Sequence, residues 1–154
     1  MNYWLFKSEP DEYSLDDLAN EPTGFGVWDG IRNYQARNIL RDEIAIGDQV
    51  LFYYSSCKVP GVAGIAKVVR EAYADPAQFD QNSRYYDEKS RTDNCRWYCV
   101  DVEFVEKFKQ VVTLKSLKLQ PSLKEMVLLK QGRLSVQPVT QEQWKTILTL
   151  AQTK

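Results

Sequence analysis

The 154-residue chain contains no histidine. This excludes any relay built on a histidine base, such as Ser-His-Asp or Cys-His, and any His-ligated metal site. Asp, Glu, Lys and Tyr remain as acids and bases, so a binding module is favoured over an enzyme. Cysteine is scarce too. Cys57, Cys95 and Cys99 form no CxxC pair, which argues against a disulfide framework or zinc knuckle and for reduced thiols. Neither a cofactor nor a metal is expected. The chain also lacks the uninterrupted apolar run of about 18 residues that a membrane span needs. Its first residues, MNYWLFKSEPDEYS, have no basic stretch leading into an apolar one. A soluble, cytoplasmic protein without a membrane partner is therefore expected, as a monomer or weak dimer.

Nor is there an excess of one charge: 20 Lys and Arg stand against 21 Asp and Glu, a formal net charge of −1. The balance is not local. Within residues 1–30, Lys7 stands against seven carboxylates, whereas nine Lys and Arg beyond Glu106 stand against Glu125 and Glu142. Such a split permits a basic face, but a histone-like field of charge is absent. With 44% hydrophobic and 12% aromatic residues, the chain has enough apolar material for one domain, 1–154. A domain of this size buries roughly 70% of its unfolded surface.

The hydropathy pattern predicts a strand at 3–6 (YWLF), stopped by Glu9-Pro10, and a short helix at about 14–20 capped by Ser14. A glycine-rich loop at 21–26 precedes a helix at about 34–43 with Ala36, Ile39 and Leu40 inward. Strands are expected at 49–55, 62–73 and 96–108, with a long polar loop at 75–94 whose Phe79, Tyr85 and Tyr86 argue for order. Thr113 and Ser122 are positioned to cap helical turns, GRLSVQP at 132–138 is extended, and Thr140 with Gln143 forms a capping box for a last helix. Strands scattered among short helices, without βαβ alternation, indicate an α+β fold: a small β-barrel of about five to six mostly antiparallel strands decorated by short helices. Gly24, Gly26 and Gly30 are spaced GxGxxxG and make a poor phosphate loop.

Several blocks carry a family resemblance. KSEPDEYS at 7–14, VWDGIRNYQARN at 27–38, GDQVLFYYS at 47–55, KVPGVAGIAKVVREAY at 58–73, FDQNSRYYDEKS at 79–90, RWYCVDVEFVEKF at 96–108 and GRLSVQPVTQEQW at 132–144 together resemble the EVE domain family, in order and over nearly the whole chain. The resemblance implies a PUA-like pseudobarrel related to the YTH domains. It also implies a reader of modified bases in nucleic acid, with modified cytosine (5-methylcytosine or 5-hydroxymethylcytosine) in DNA favoured over RNA.

A reader must take a base out of the stack, hold its π-face and satisfy its edge. Trp28, between Gly26 and Gly30, is the candidate ring, although an indole is also an ordinary core residue. Lys7, Ser8 and Glu9 follow the first strand and offer donors and an acceptor, or else a plain surface ion pair. Asp29, Asn33 and Tyr34 are further base-binding candidates, and Asn33 equally suits a helix cap. Arg32, Arg37, Arg41 and Lys58 are candidate phosphate ligands. Tyr54 and Ser55 belong to FYYSS, which departs from the FYHSN common in the family. Tyr54 keeps an aromatic face and a hydroxyl but no group titrating near neutrality. Tyr85, with Tyr86, offers a second wall or simply packs the long loop. The enzymatic alternative would use Glu9 and Asp29 as acid and base.

Overall fold

In a computed structural model, residues 1–152 are described. Six strands, β1 (Tyr3–Ser8), β2 (Gly26–Trp28), β3 (Gln49–Tyr54), β4 (Gly61–Ala74), β5 (Tyr98–Thr113) and β6 (Val136–Val139), form one sheet in the order β2-β5-β4-β3-β1-β6. β1 and β3 run parallel and all other neighbours antiparallel. The mixed α+β sheet is the one expected, but it is open: β2 and β6 are its edges, so the curl stops short of a closed barrel. The curl comes from β4 and β5, whose pairing shifts register four times along its length, and such irregularities bend and twist long strands. At Gly64 the β5 backbone approaches so closely that a Cβ has no room.

The sheet is buried on both faces, as strict alternation shows. Trp4, Phe6, Val50 and Phe52 enter one apolar cluster, while Leu5, Leu51 and Tyr53 enter the other. Helices α1 (Leu15–Ala19) and α2 (Tyr34–Asp42) cover the first face with Leu15, Leu18, Ala36, Ile39 and Leu40. Helices α3 (Leu114–Lys118), α4 (Val127–Lys130) and α5 (Gln141–Gln152) cover the second with Leu117, Leu128, Trp144 and Ile147.

Several helix starts follow the expected chemistry. Ser14 and Asp17 make a reciprocal capping box on α1, Thr113 caps α3, and the Thr140–Gln143 pair forms at 3.0 and 3.1 Å. Ser122 does not cap a helix. Pro121–Leu123 is a 3-10 turn, and Leu123 and Met126, both fully buried, pull the chain around before α4 begins. The strand expected over 96–108 runs on to Thr113, and the extended segment at 132–138 pairs only from Val136.

Candidate nucleic-acid interface

The C-terminal ends of the parallel pair β1 and β3 point the same way, so Lys7 and Ser8 emerge beside Tyr53 and Tyr54. The next residues, Ser55 and Ser56, continue alongside, with the Ser55 N–H donating to the Ser8 carbonyl at 3.0 Å. β2 ends at Trp28 and delivers Asp29 and Gly30 to the same rim, and the loop before β6 adds Arg133 and Ser135. Lys7, Ser8, Ser55, Ser56, Trp28, Asp29, Gly30, Arg133 and Ser135, together with Tyr13 and Tyr85, border a cavity of about 700 Å³. That volume is within the range of small-molecule sites.

Trp28 is both core and wall. It is 7% exposed, with its ring centroid 5.2 Å from Phe6 and 5.3 Å from Phe52, and it borders the cavity with what remains. Tyr13 approaches its edge at 6.4 Å and donates its hydroxyl to Glu21 at 2.9 Å. Burial and that carboxylate push the Tyr13 phenol well above its ordinary range. Lys7 donates through Nζ to the Gly132 carbonyl, and burial lowers its ammonium. Asp29 lies at the open lip, yet the protein around it strips water from its carboxyl and raises it, helped by the Asp75 carboxylate.

The opposite lip belongs to the long loop. Arg84 pairs with Glu12 at 2.9 Å and bonds the Tyr85 hydroxyl at 2.6 Å, tying this loop to the β1–α1 connection. That contact holds the Glu12 carboxyl below its usual range. Behind the lip, Arg32 donates to the Tyr85 carbonyl and to Asp75, which is wholly buried and also accepts from the Gly30 N–H at 2.9 Å. Buried Gln78 orders the rest of the loop. It donates to the carbonyls of Asp75 and Trp97 at 2.8 Å each and accepts from the N–H groups of Arg96 and Trp97.

Of the residues proposed from sequence, Lys7, Ser8, Glu9, Trp28, Asp29, Ser55 and Tyr85 line this cavity. Asn33, Tyr34 and Tyr54 lie outside it, each engaged elsewhere. The Asn33 side chain accepts from the Ala36 N–H at 3.0 Å and caps α2. Tyr34 stacks on Trp97 with centroids 4.9 Å apart, and the Tyr54 hydroxyl accepts from the Leu15 N–H at the start of α1. Among the arginines, Arg32 is internal, Arg37 donates to the Arg96 carbonyl at 2.7 Å, and Arg41 holds Asp42 through two bonds. Lys58 is exposed in the β3–β4 connection. Glu12, Tyr13, Arg84 and Arg133 join the wall without having been singled out for it. Their signal was position within the blocks KSEPDEYS, NSRYY and GRLSVQP. Among the described residues no group of three or more His, Cys, Asp or Glu could hold a metal ion, and no helix is long and apolar enough to cross a membrane.

Residues 2–150 match the family model of the EVE domain. Human thymocyte nuclear protein 1 is 43% identical over 166 residues, covering 97% of this chain and 73% of that protein. The crystal structure of human THYN1 protein in complex with 5-methylcytosine-containing DNA superposes with a TM-score of 0.95 at 42% identity, covering 100% of this chain and 99% of that one. The YTH domain of the Zygosaccharomyces rouxii MRB1 protein, solved with N6-methyladenosine RNA, is 18% identical with a TM-score of 0.58 over 97% of this chain and 86% of that one, a likeness of fold alone. The arrangement shared with these structures is the expected PUA-like one. The chain belongs to the EVE domain family.

Proposed function

We propose that this chain, acting as one domain and as a monomer or weak dimer, is a non-catalytic reader of a modified cytosine in DNA. The modified nucleotide leaves the duplex and enters the cavity beside Trp28. The single observation that carries this reading is that cavity, in which an aromatic wall and a set of polar groups converge at the ends of rigid strands. Extrusion costs a few kcal/mol. Stacking on an aromatic ring returns about 1–3 kcal/mol per base, and hydrogen bonds to the edge supply the remainder. Tyr85 faces the base from the loop side. Lys7, Ser55 and Glu9 offer donors and an acceptor around the rim, with Asp29 at the lip, while the Ser8 hydroxyl donates to the Tyr13 carbonyl at 2.6 Å and is left to accept.

The human relative's complex with 5-methylcytosine DNA supports DNA as the partner. Arg84 and Arg133, at the cavity mouth, are the cations best placed for flanking phosphates. Arg37, Arg41 and Lys58 lie farther out and contribute general charge. An enzymatic role for Glu9 and Asp29 is less well supported, because the chain has no histidine to serve as the usual base. We place the protein in the compartment that holds its DNA partner, in the cytoplasm by the sequence reading, whereas the human relative is nuclear by name.

The test is a binding panel of matched oligonucleotides, unmodified or carrying 5-methylcytosine, 5-hydroxymethylcytosine or 6-methyladenine, in DNA and RNA. A preference for modified cytosine in DNA that persists at moderate salt supports the reading. Equal affinity for all members, or turnover of any base, contradicts it.

A further inference from the structure

Three carboxylates border the cavity, and they are not equivalent. Glu12 is committed to Arg84 at 2.9 Å, and Glu9 lies beside Glu12 on that same side. Asp29 follows Trp28 directly at the end of β2. Among the described residues it makes no ion pair with a lysine or arginine. Trp28 and Asp29 both border the cavity, so a base ring laid against the indole enters the space that the Asp29 side chain also lines.

We propose, resting on the reading above, that Asp29 determines base specificity by pairing its carboxyl group with the amine and ring nitrogen of an everted cytosine. Cytosine offers an exocyclic N–H donor next to a bare ring nitrogen, and a carboxyl group complements that pair once a single proton is shared between them. The proton comes from solvent and resides on the carboxyl or on the ring nitrogen; no covalent bond between heavy atoms changes. Thymine carries the same methyl group as 5-methylcytosine but puts a carbonyl where the amine was. Its ring nitrogen already carries an N–H, so a carboxylate makes one bond to thymine and faces its carbonyl oxygen, while the proton that gives cytosine its second bond has no basic ring nitrogen to settle on.

The surroundings favour taking up that proton. The loss of water and then Asp75 raise the Asp29 carboxyl, and a backbone hydrogen bond and Arg32 oppose them. Tyr13 and Cys99, the other titratable neighbours, have their pKa values pushed up, that of Cys99 to about 12, and stay uncharged near neutrality. Binding that takes up one proton strengthens as the pH falls, by at most about tenfold per pH unit.

The experiment measures affinity for duplexes carrying 5-methylcytosine or thymine opposite an abasic site, so that neither base must break a pair, at pH 5.5, 6.5 and 7.5. Wild type should favour 5-methylcytosine at pH 7.5 by about tenfold or more, and its affinity should rise toward pH 5.5. Asp29→Asn supplies donor and acceptor without a proton and can turn to face thymine. It should lose both the pH dependence and the preference over thymine. Asp29→Ala should lose about tenfold in affinity. A wild type that prefers 5-methylcytosine, with Asp29→Asn unchanged in preference and pH profile, overturns the role of Asp29 and leaves the reader standing. A wild type that binds neither duplex overturns the reader itself.

Discussion

Arg32 holds the main-chain carbonyl of Tyr85 through two nitrogens, at 3.1 and 2.8 Å, while its third nitrogen bonds the buried Asp75 at 2.9 Å. One side chain thus fastens the long loop to the β2–α2 connection and sets where Tyr85 stands. Arg32→Ala leaves Asp75 without its cation, and removing one partner of a buried pair costs about 3 kcal/mol. Arg32→Lys should recover little, because an ammonium does not reproduce the planar fork. Thermal unfolding should show a Tm lower by roughly 10 °C for Arg32→Ala, and base binding should weaken with it.

Gly30 gives a sharper way to move Tyr85. Its φ is +76°, and a Cβ there would lie 2.8 Å from two atoms of the Tyr85 ring. Gly24 has a similar φ of +85° with nothing within 4 Å. Both Gly→Ala variants should lose about 1–2 kcal/mol for the left-handed backbone. Only Gly30→Ala should also weaken affinity for the modified oligonucleotide, as titration of the two variants side by side would show.

Stability and recognition should separate at Asp48. This buried carboxylate accepts from the Asn2 N–H, the Trp4 indole N–H and the Ala45 N–H, and it lines no part of the cavity. Asp48→Asn points an NH2 group at donors, with a cost of about 2–3 kcal/mol. Chemical denaturation should register that loss while oligonucleotide affinity of the folded variant stays unchanged.

Acid should loosen the long loop through Asp87. The Trp97 indole N–H donates to it at 2.8 Å and Arg96 lies at 3.4 Å, so its carboxyl is held below the usual range, chiefly by the indole bond. A depressed carboxylate stabilises the fold above its unfolded value, about 3.9, and that stabilisation disappears as the pH falls through the folded value. The Tm advantage of wild type over Asp87→Asn should therefore be present at pH 6 and shrink by pH 3. Asp29 has the opposite sign: its raised carboxyl disfavours the fold at neutral pH, so Asp29→Asn should be more stable than wild type at pH 7, and the gap should close in acid.

Local chemistry was the legible part of the fold. Ser14, Asn33, Thr113 and Thr140 cap helices because a side-chain oxygen two or three residues before an unpaired N–H acts regardless of the remaining chain. Ser122 failed where burial of Leu123 and Met126 outweighed that preference. In the site, Trp28 was legible from its flanking glycines, whereas the short strand β2 that carries it was not. Arg84 was not, because its partner Glu12 lies 72 residues away, and neither was the internal role of Arg32, whose partners lie 43 and 53 residues along the chain. Asn33 and Tyr54 illustrate the converse. Each has the right functional group for base reading, but a backbone N–H takes it up, three residues on for Asn33 and 39 residues back for Tyr54.

The central claim is that the Trp28 ring supplies the stacking surface for an everted modified base. Trp28→Leu keeps apolar packing against Phe6 and Phe52 at a stability cost of about 3 kcal/mol, so circular dichroism can confirm a folded variant before binding is measured. Affinity for the 5-methylcytosine duplex should then fall by about tenfold, as expected for the loss of one aromatic contact. A folded Trp28→Leu protein that retains the wild-type affinity would contradict the account.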